Sequence, residues 1–124
     1  MGRVAFKRFA IAARPIEIQN LCDDISYWDQ LGSSISILER AIRIHHRLVW
    51  IHPFENGNGR HARLIADMYL NSHGSFYPRW PVNLNQEGAS RLEYIEALKD
   101  ADQGNYSSLI DYISRLIQKD HRGS

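Results

Sequence analysis

A single cysteine, Cys22, leaves no partner for an intrachain disulfide and no cysteine cluster for a metal. Long apolar runs are also missing. No stretch of about 18 apolar residues occurs, so no helix encoded here spans a bilayer and no membrane partner is expected. Nor is there an excess of one charge. The 15 Lys and Arg residues against 14 Asp and Glu leave +1, which argues against a nucleic-acid partner. The N-terminal stretch is basic and part-apolar, but Lys7 and Arg8 split it and deny it the continuous apolar core of a signal peptide. A cytoplasmic location is the resulting expectation. Repeats and low-complexity tracts are absent, and 124 residues suit one domain, 1–124.

What the chain has in quantity is helical periodicity. Residues 1–14 carry Arg3, Lys7, Arg8 and Arg14 with no acid, and read as a basic arm or a short hairpin. From 15 to 120 the pattern is a helical core. Pro15 suits the first turn of a helix, where its missing N–H does no harm. Ile18, Leu21, Cys22, Ile25 and Trp28 follow at spacings of three and four, one apolar stripe, which Gly32 and its serine neighbours end. A second helix is predicted over 34–50, with Ile35, Leu38, Ile42, His45 and Val49 on one face and Ala41, Ile44 and Leu48 widening it. A third begins near Gly59–Arg60, with Leu64, Ile65, Met68 and Tyr69 as its face and Gly74 just past its end. Residues 75–88 read as an irregular connection pinned by Phe76, Tyr77 and Trp80. Two more helices are predicted over 89–102, with Leu92, Ile95 and Leu98 as a seam, and over 106–119. Five helices with almost no strand signal give an all-α fold.

The segment with chemical content is 50–63, Trp-Ile-His-Pro-Phe-Glu-Asn-Gly-Asn-Gly-Arg-His-Ala-Arg. A helix gives way to a loop at His52 and Pro53, because the residue before proline is pushed out of helical conformation. Gly57 and Gly59 bracket Asn58 in a tight turn, and a new helix opens there. Its first turn presents unpaired N–H groups and the positive end of the helix dipole, a nest suited to phosphate. Arg60 and Arg63, three apart, emerge beside that nest, and guanidinium groups grip phosphate oxygens in pairs. His52 stands just before the loop, and an imidazole titrating near neutrality suits a general base. Each piece alone is common in proteins without function; their order and spacing together are not.

This segment resembles the signature of the Fic (Fic/Doc) family, His-x-Phe-x-(Asp/Glu)-Gly-Asn-Gly-Arg-x-x-Arg. His52, Phe54, Gly57, Asn58, Gly59, Arg60 and Arg63 fit it, with Pro53 as the common second residue. Its form is similar to the subgroup called mobile mystery protein B, and the likeness covers roughly residues 15–120. The resemblance implies a helical core with the motif loop between two central helices and a short hairpin flap ahead of it, which residues 3–14 would supply. It implies transfer of AMP from ATP to a Ser, Thr or Tyr hydroxyl of a target protein. His52 would take the hydroxyl proton, and Phe54 and Pro53 would anchor the loop. Gly57, Asn58 and Gly59 would cradle the α- and β-phosphates, Arg60 would hold the β-phosphate region and Arg63 the γ-phosphate.

One position departs. The family's acidic residue, which binds Mg²⁺, is Asn56 here. An amide oxygen still ligates a hard cation but without charge, so weaker Mg²⁺ affinity is expected. The family's inhibitory run, (Ser/Thr)-x-x-x-Glu-(Gly/Asn), does not occur. Glu55-Asn56 and Glu87-Gly88 are preceded at the required distance by Ile51 and Asn83. A truncated N-terminus, a separate antitoxin-like inhibitory protein, or no inhibition at all would each account for that.

Several histidines and aromatics lie outside the motif or beside it. His45 and His46 would need the chain to fold back over a helix end to join His52 at a metal. Core packing for His45 and a polar partner for His46 are the simpler readings. His61 would point away from the nest, and Asp67 is one turn from Arg63. Trp50 and Trp80 read as core, with Tyr77 and Trp80 as candidates for stacking on adenine. The rivals to AMP transfer are a silent nucleotide- or protein-binding module, favoured by Asn56, and removal of AMP from a modified protein.

Overall fold

The computed structural model describes residues 14–30, 34–51, 58–81, 84 and 88–123; for Asn58 and residues 118–123 it describes backbone alone. Five helices lie in this range, and among the described residues there is no strand. The expected flap, apart from Arg14, lies outside them. The helices fall into two units, α1 to α3 ending at Ser75 and α4 with α5 from Phe76 onward.

Helix α1 spans Arg14–Gln30 and holds Pro15 in its first turn, as the sequence predicts. Leu21 and Trp28 are buried, and Ile18 and Ile25 pack against the same core. Cys22 is exposed, contrary to its place in the predicted stripe. At 100° per residue it sits on the edge of the stripe farthest from Trp28, and the core does not reach it.

Helix α2 runs Ile37–Ile51, starting later than the predicted 34. The reason is a cap. Ser36 Oγ accepts the Glu39 N–H at 3.1 Å, satisfying one of the helix's orphan donors, so Ile35 stays outside the helix and packs on the core. Arg47 pairs with Asp24 at 2.9 Å and Arg40 with Asp29 at 3.5 Å, holding α2 against α1.

Helix α3, Asn58–Ser72, packs on α2. Ala41, Ala62 and Ala66 are all buried, and such small side chains let the two helices approach closely. The predicted face holds at Ile65 and Tyr69 and is corrected at Leu64 and Met68. Leu64 and Met68 are 54% and 56% exposed, while Ala62, Ala66, Tyr69 and Leu70 face inward. Ile65 and Tyr69 of the predicted face pack on the core, but α2 meets α3 across alanines, which leaves Leu64 and Met68 outside the contact. Gly74, at φ +75°, ends α3. The Ser75 N–H bonds to the Leu70 carbonyl and the Gly74 N–H to that of Asn71, which closes the last turn and makes Gly74 the expected stop.

In the second unit α4 spans Ala89–Asp102, as predicted, and α5 spans Ser107–Gly123. Gly104, at φ +88°, closes α4 with the same pair of bonds, Asn105 to Asp100 and Gly104 to Ala101. Tyr94, Ala97, Leu98 and Ala101 meet Leu109, Tyr112 and Ile113. Leu92, predicted in the seam, is 66% exposed, and Tyr94 takes its place. Of the aromatics expected to pin the connection, Trp80 does so, edge-on to Tyr94 at 6.4 Å, whereas Phe76 and Tyr77 are exposed.

Candidate active site

The motif enters α3 directly. Asn58 and Gly59 are its first two residues, so the turn predicted to cradle phosphate runs straight into the positive end of a helix dipole. His52, Pro53, Phe54, Glu55, Asn56 and Gly57 lie outside the described residues, as does the Asn58 side chain. The geometry of the site is therefore that of Gly59, Arg60 and Arg63 and of what supports them.

Arg63 is buried, with 9% of its surface exposed, an uncommon state for an arginine. Its side chain turns back along α3 toward the helix start. A Cβ built on Gly59 would lie 3.2 Å from Arg63 Nη1. The glycine thus leaves room for the guanidinium to lie against its bare Cα. One turn of backbone donors and one guanidinium charge meet at the same helix end. Arg60, on the adjoining face, is exposed. The two arginines differ in kind: Arg63 is fixed by its surroundings and Arg60 projects into solvent.

The support comes from α2. His45 is fully buried, with no exposed surface, and packs where α2 meets α3, which fits the core role read from sequence. Burial pushes its ring down to about 3. A hydrogen bond to the backbone of Ala62 opposes that fall, and the nearby charges of Arg63 and His46 add to it. His45 is therefore neutral at physiological pH. His46 lies parallel to Trp50, ring centroids 6.5 Å apart. His61 and Asp67 are half-buried on α3.

Nothing in the sequence signals that His45 contacts the residue next to Arg63; the one hint is an imidazole on an otherwise aliphatic face. Among the described residues no group of three His, Cys, Asp or Glu side chains gathers to hold a metal, and Asn56, the expected ligand, lies outside them. No helix among the described residues is long and apolar enough to cross a membrane. A cavity of about 190 Å³ between α4 and α5 is lined by Glu93, Glu96, Asp100 and Asp111, the wrong charge for phosphate.

The chain matches the model of the Fic/DOC family over residues 4–70, more than half its length. The chain belongs to the Fic/DOC family. This Fic domain is 34% identical over 103 residues to protein adenylyltransferase fic-1 of Caenorhabditis elegans, covering 82% of this chain and 19% of that protein. It is 35% identical over 82 residues to protein adenylyltransferase Fic of Nematostella vectensis, covering 66% of this chain and 18% of the relative. A probable protein adenylyltransferase of Aquifex aeolicus is 31% identical over 90 residues, 73% of this chain and 26% of that one. This Fic domain thus spans about a fifth to a quarter of the length of the curated relatives it matches.

Proposed function

We propose that this Fic domain is a nucleotidyltransferase that moves AMP from ATP to a Ser, Thr or Tyr hydroxyl of a target protein. The observation that carries the reading is the buried Arg63 guanidinium laid over Gly59 at the start of α3, a fixed positive charge beside helix N–H donors. The names of the relatives, all protein adenylyltransferases, support the choice of transferred group.

In this reading the target's hydroxyl oxygen attacks the α-phosphorus, and the bond from that phosphorus to the β-phosphate oxygen breaks. AMP becomes joined to the side chain through a phosphodiester, and pyrophosphate leaves. His52 takes the hydroxyl proton on its ring nitrogen as the new bond forms. Gly57, Asn58 and Gly59 present backbone donors to the phosphates, Arg60 grips the β-phosphate region and Arg63 the γ-phosphate. Both arginines stabilise charge that grows on the departing pyrophosphate. Pro53 and Phe54 hold the loop. Such chemistry asks mainly for positioning and charge neutralisation, which a pre-set guanidinium supplies without reorganisation.

Mg²⁺, when bound, would neutralise phosphate charge, with Asn56 holding it through one neutral oxygen and the nucleotide supplying others. That donor set fits a weakly held ion. A cytoplasmic setting, membership of the mobile mystery protein B subgroup and an antitoxin-like inhibitory partner belong to the same proposal.

Incubating the protein and a cell lysate with ATP labelled at either the α- or the γ-phosphate tests the transferred group. AMP transfer leaves the α label on protein and releases the γ label. Retention of the γ label instead would mean phosphoryl transfer. Asn56 favours one rival, a silent module, for which ATP would bind and neither label would transfer.

A further inference from the structure

His45 is costly where it stands. Its neighbours on α2, Ala41, Ile44, Leu48 and Ile51, are aliphatic and buried, and a leucine would fill the place without desolvating two ring nitrogens. What the imidazole gains is the hydrogen bond to the Ala62 backbone. That bond favours the protonated ring, the sign expected when a ring N–H donates to a carbonyl. Ala62 is itself fully buried, and the residue after it is Arg63.

The two contacts form a line from one helix to the other. The His45 ring on α2 bonds to α3 at Ala62, and Arg63 extends from the next position back over Gly59. The bond fixes where the second turn of α3 sits against α2, and so where the Arg63 side chain sets out. Phosphate recognition is sensitive to that origin, because a misplacement of about 1 Å costs on the order of 100-fold in a positioned reaction. A neutral ring meets a second requirement, since an imidazolium would set a like charge beside the guanidinium.

We infer that His45 is a positioning residue for nucleotide recognition, an imidazole strut from α2 to the Ala62 backbone that sets the Arg63 guanidinium over Gly59 for the γ-phosphate. This rests on the proposed ATP-dependent activity. The role differs from core filling, because a core residue would support every ligand equally. His45 should matter for ATP and not for AMP, which has no phosphate within reach of Arg63.

The test is the ratio of ATP to AMP affinity, measured by calorimetric titration of the full chain, for the unaltered protein, Arg63→Ala, His45→Leu and His45→Gln. Melting curves run alongside. The expected result is that His45→Leu stays folded, keeps its AMP affinity and loses ATP affinity by about tenfold or more, close to Arg63→Ala, as loss of a charge-assisted contact would do. His45→Gln, whose neutral amide also donates, should recover much of the ratio. An unchanged ratio in His45→Leu would overturn the inference. If His45→Leu does not fold, His45→Met, which repacks more freely, takes its place. Failure of both to fold would overturn it as well, since the residue would then serve the core. An unaltered protein with no preference for ATP over AMP would instead sink the functional reading beneath it. A preference lost in Arg63→Ala but kept in His45→Leu would sink the strut alone.

Discussion

The Arg63 guanidinium lies against the bare Cα of Gly59, one helical turn earlier, so close that a methyl group there would sit 3.2 Å from Nη1. Gly59→Ala forces the guanidinium to give way by a few tenths of an ångström. The backbone itself has no objection, because Gly59 is helical without a positive φ, and in the first turn of α3 alanine gains part of the roughly 1 kcal/mol by which it outranks glycine in a helix interior. Stability and binding should therefore separate. The variant is expected to melt at or above the temperature of the unaltered protein while binding ATP severalfold more weakly. Equal ATP affinity in the two would show that the Gly59–Arg63 contact has no part in nucleotide binding.

Asp29 joins all three helices of the first unit. Its Oδ1 accepts the Tyr69 hydroxyl at 2.7 Å, faces His73 Nε2 at 3.2 Å and lies 3.5 Å from Arg40 Nη1. Removing it takes the acceptor from the Tyr69 hydroxyl and leaves Arg40 as that group's other partner. Asp29→Ala should destabilise the fold by roughly 1 kcal/mol, the net worth of a part-buried hydrogen bond to a charged acceptor. Denaturant unfolding measures this, and a change within experimental error would mean water replaces the carboxylate without cost. The same cluster gives an alkaline limit. Burial raises the Tyr69 hydroxyl above its usual 10.0, and the bond to Asp29 raises it further. The folded state thus favours the protonated phenol, and its contribution is complete below pH 10 and fades as pH rises through the folded value.

His45 sets an acid limit of the opposite kind. Its ring falls from 6.5 to about 3 on folding, so the unfolded chain binds a proton there that the folded one refuses. The fold carries no proton penalty from this ring above pH 6.5 and loses stability as pH falls from 6.5 toward 3, at on the order of 1 kcal/mol per pH unit. Unfolding measured from pH 7 to 4 should show a shallower acid decline in His45→Gln than in the unaltered protein. Parallel curves would mean the folded ring takes up its proton as readily as the unfolded one.

Asn56→Asp restores a charged oxygen where the family carries one. Activity at limiting Mg²⁺ should rise, and the Mg²⁺ concentration giving half-maximal rate should fall, with little change at saturation. If activity is unchanged or falls, position 56 is not the metal ligand.

Much of the fold is legible in the sequence because its signals are local. Pro15 opens α1, and Gly74 and Gly104 each close a helix in the left-handed conformation that glycine tolerates. The range of α4 follows from its periodicity together with the stop at Gly104. Sequence and structure part where burial depends on a neighbour. Leu64, Met68 and Leu92 look like core residues in sequence, yet α2 meets α3 across alanines, and α4 turns Tyr94 inward. Asp29 carries no sign of its role, since its partners are separated along the chain and meet only when three helices do. At the site, the pairing of Gly59 with Arg63 agrees with the motif's spacing, whereas the reach of His45 to Ala62 depends on the α2–α3 packing.

The most direct measurement is transfer of label from α-labelled ATP to protein by the unaltered chain and by His52→Ala, with ATP binding followed in both. The account predicts labelled protein from the first, loss of about 100-fold or more from the second, as expected when a general base is removed, and ATP bound comparably by each. Equal labelling by the two, or ATP bound by the unaltered chain with no label passed on, would contradict it.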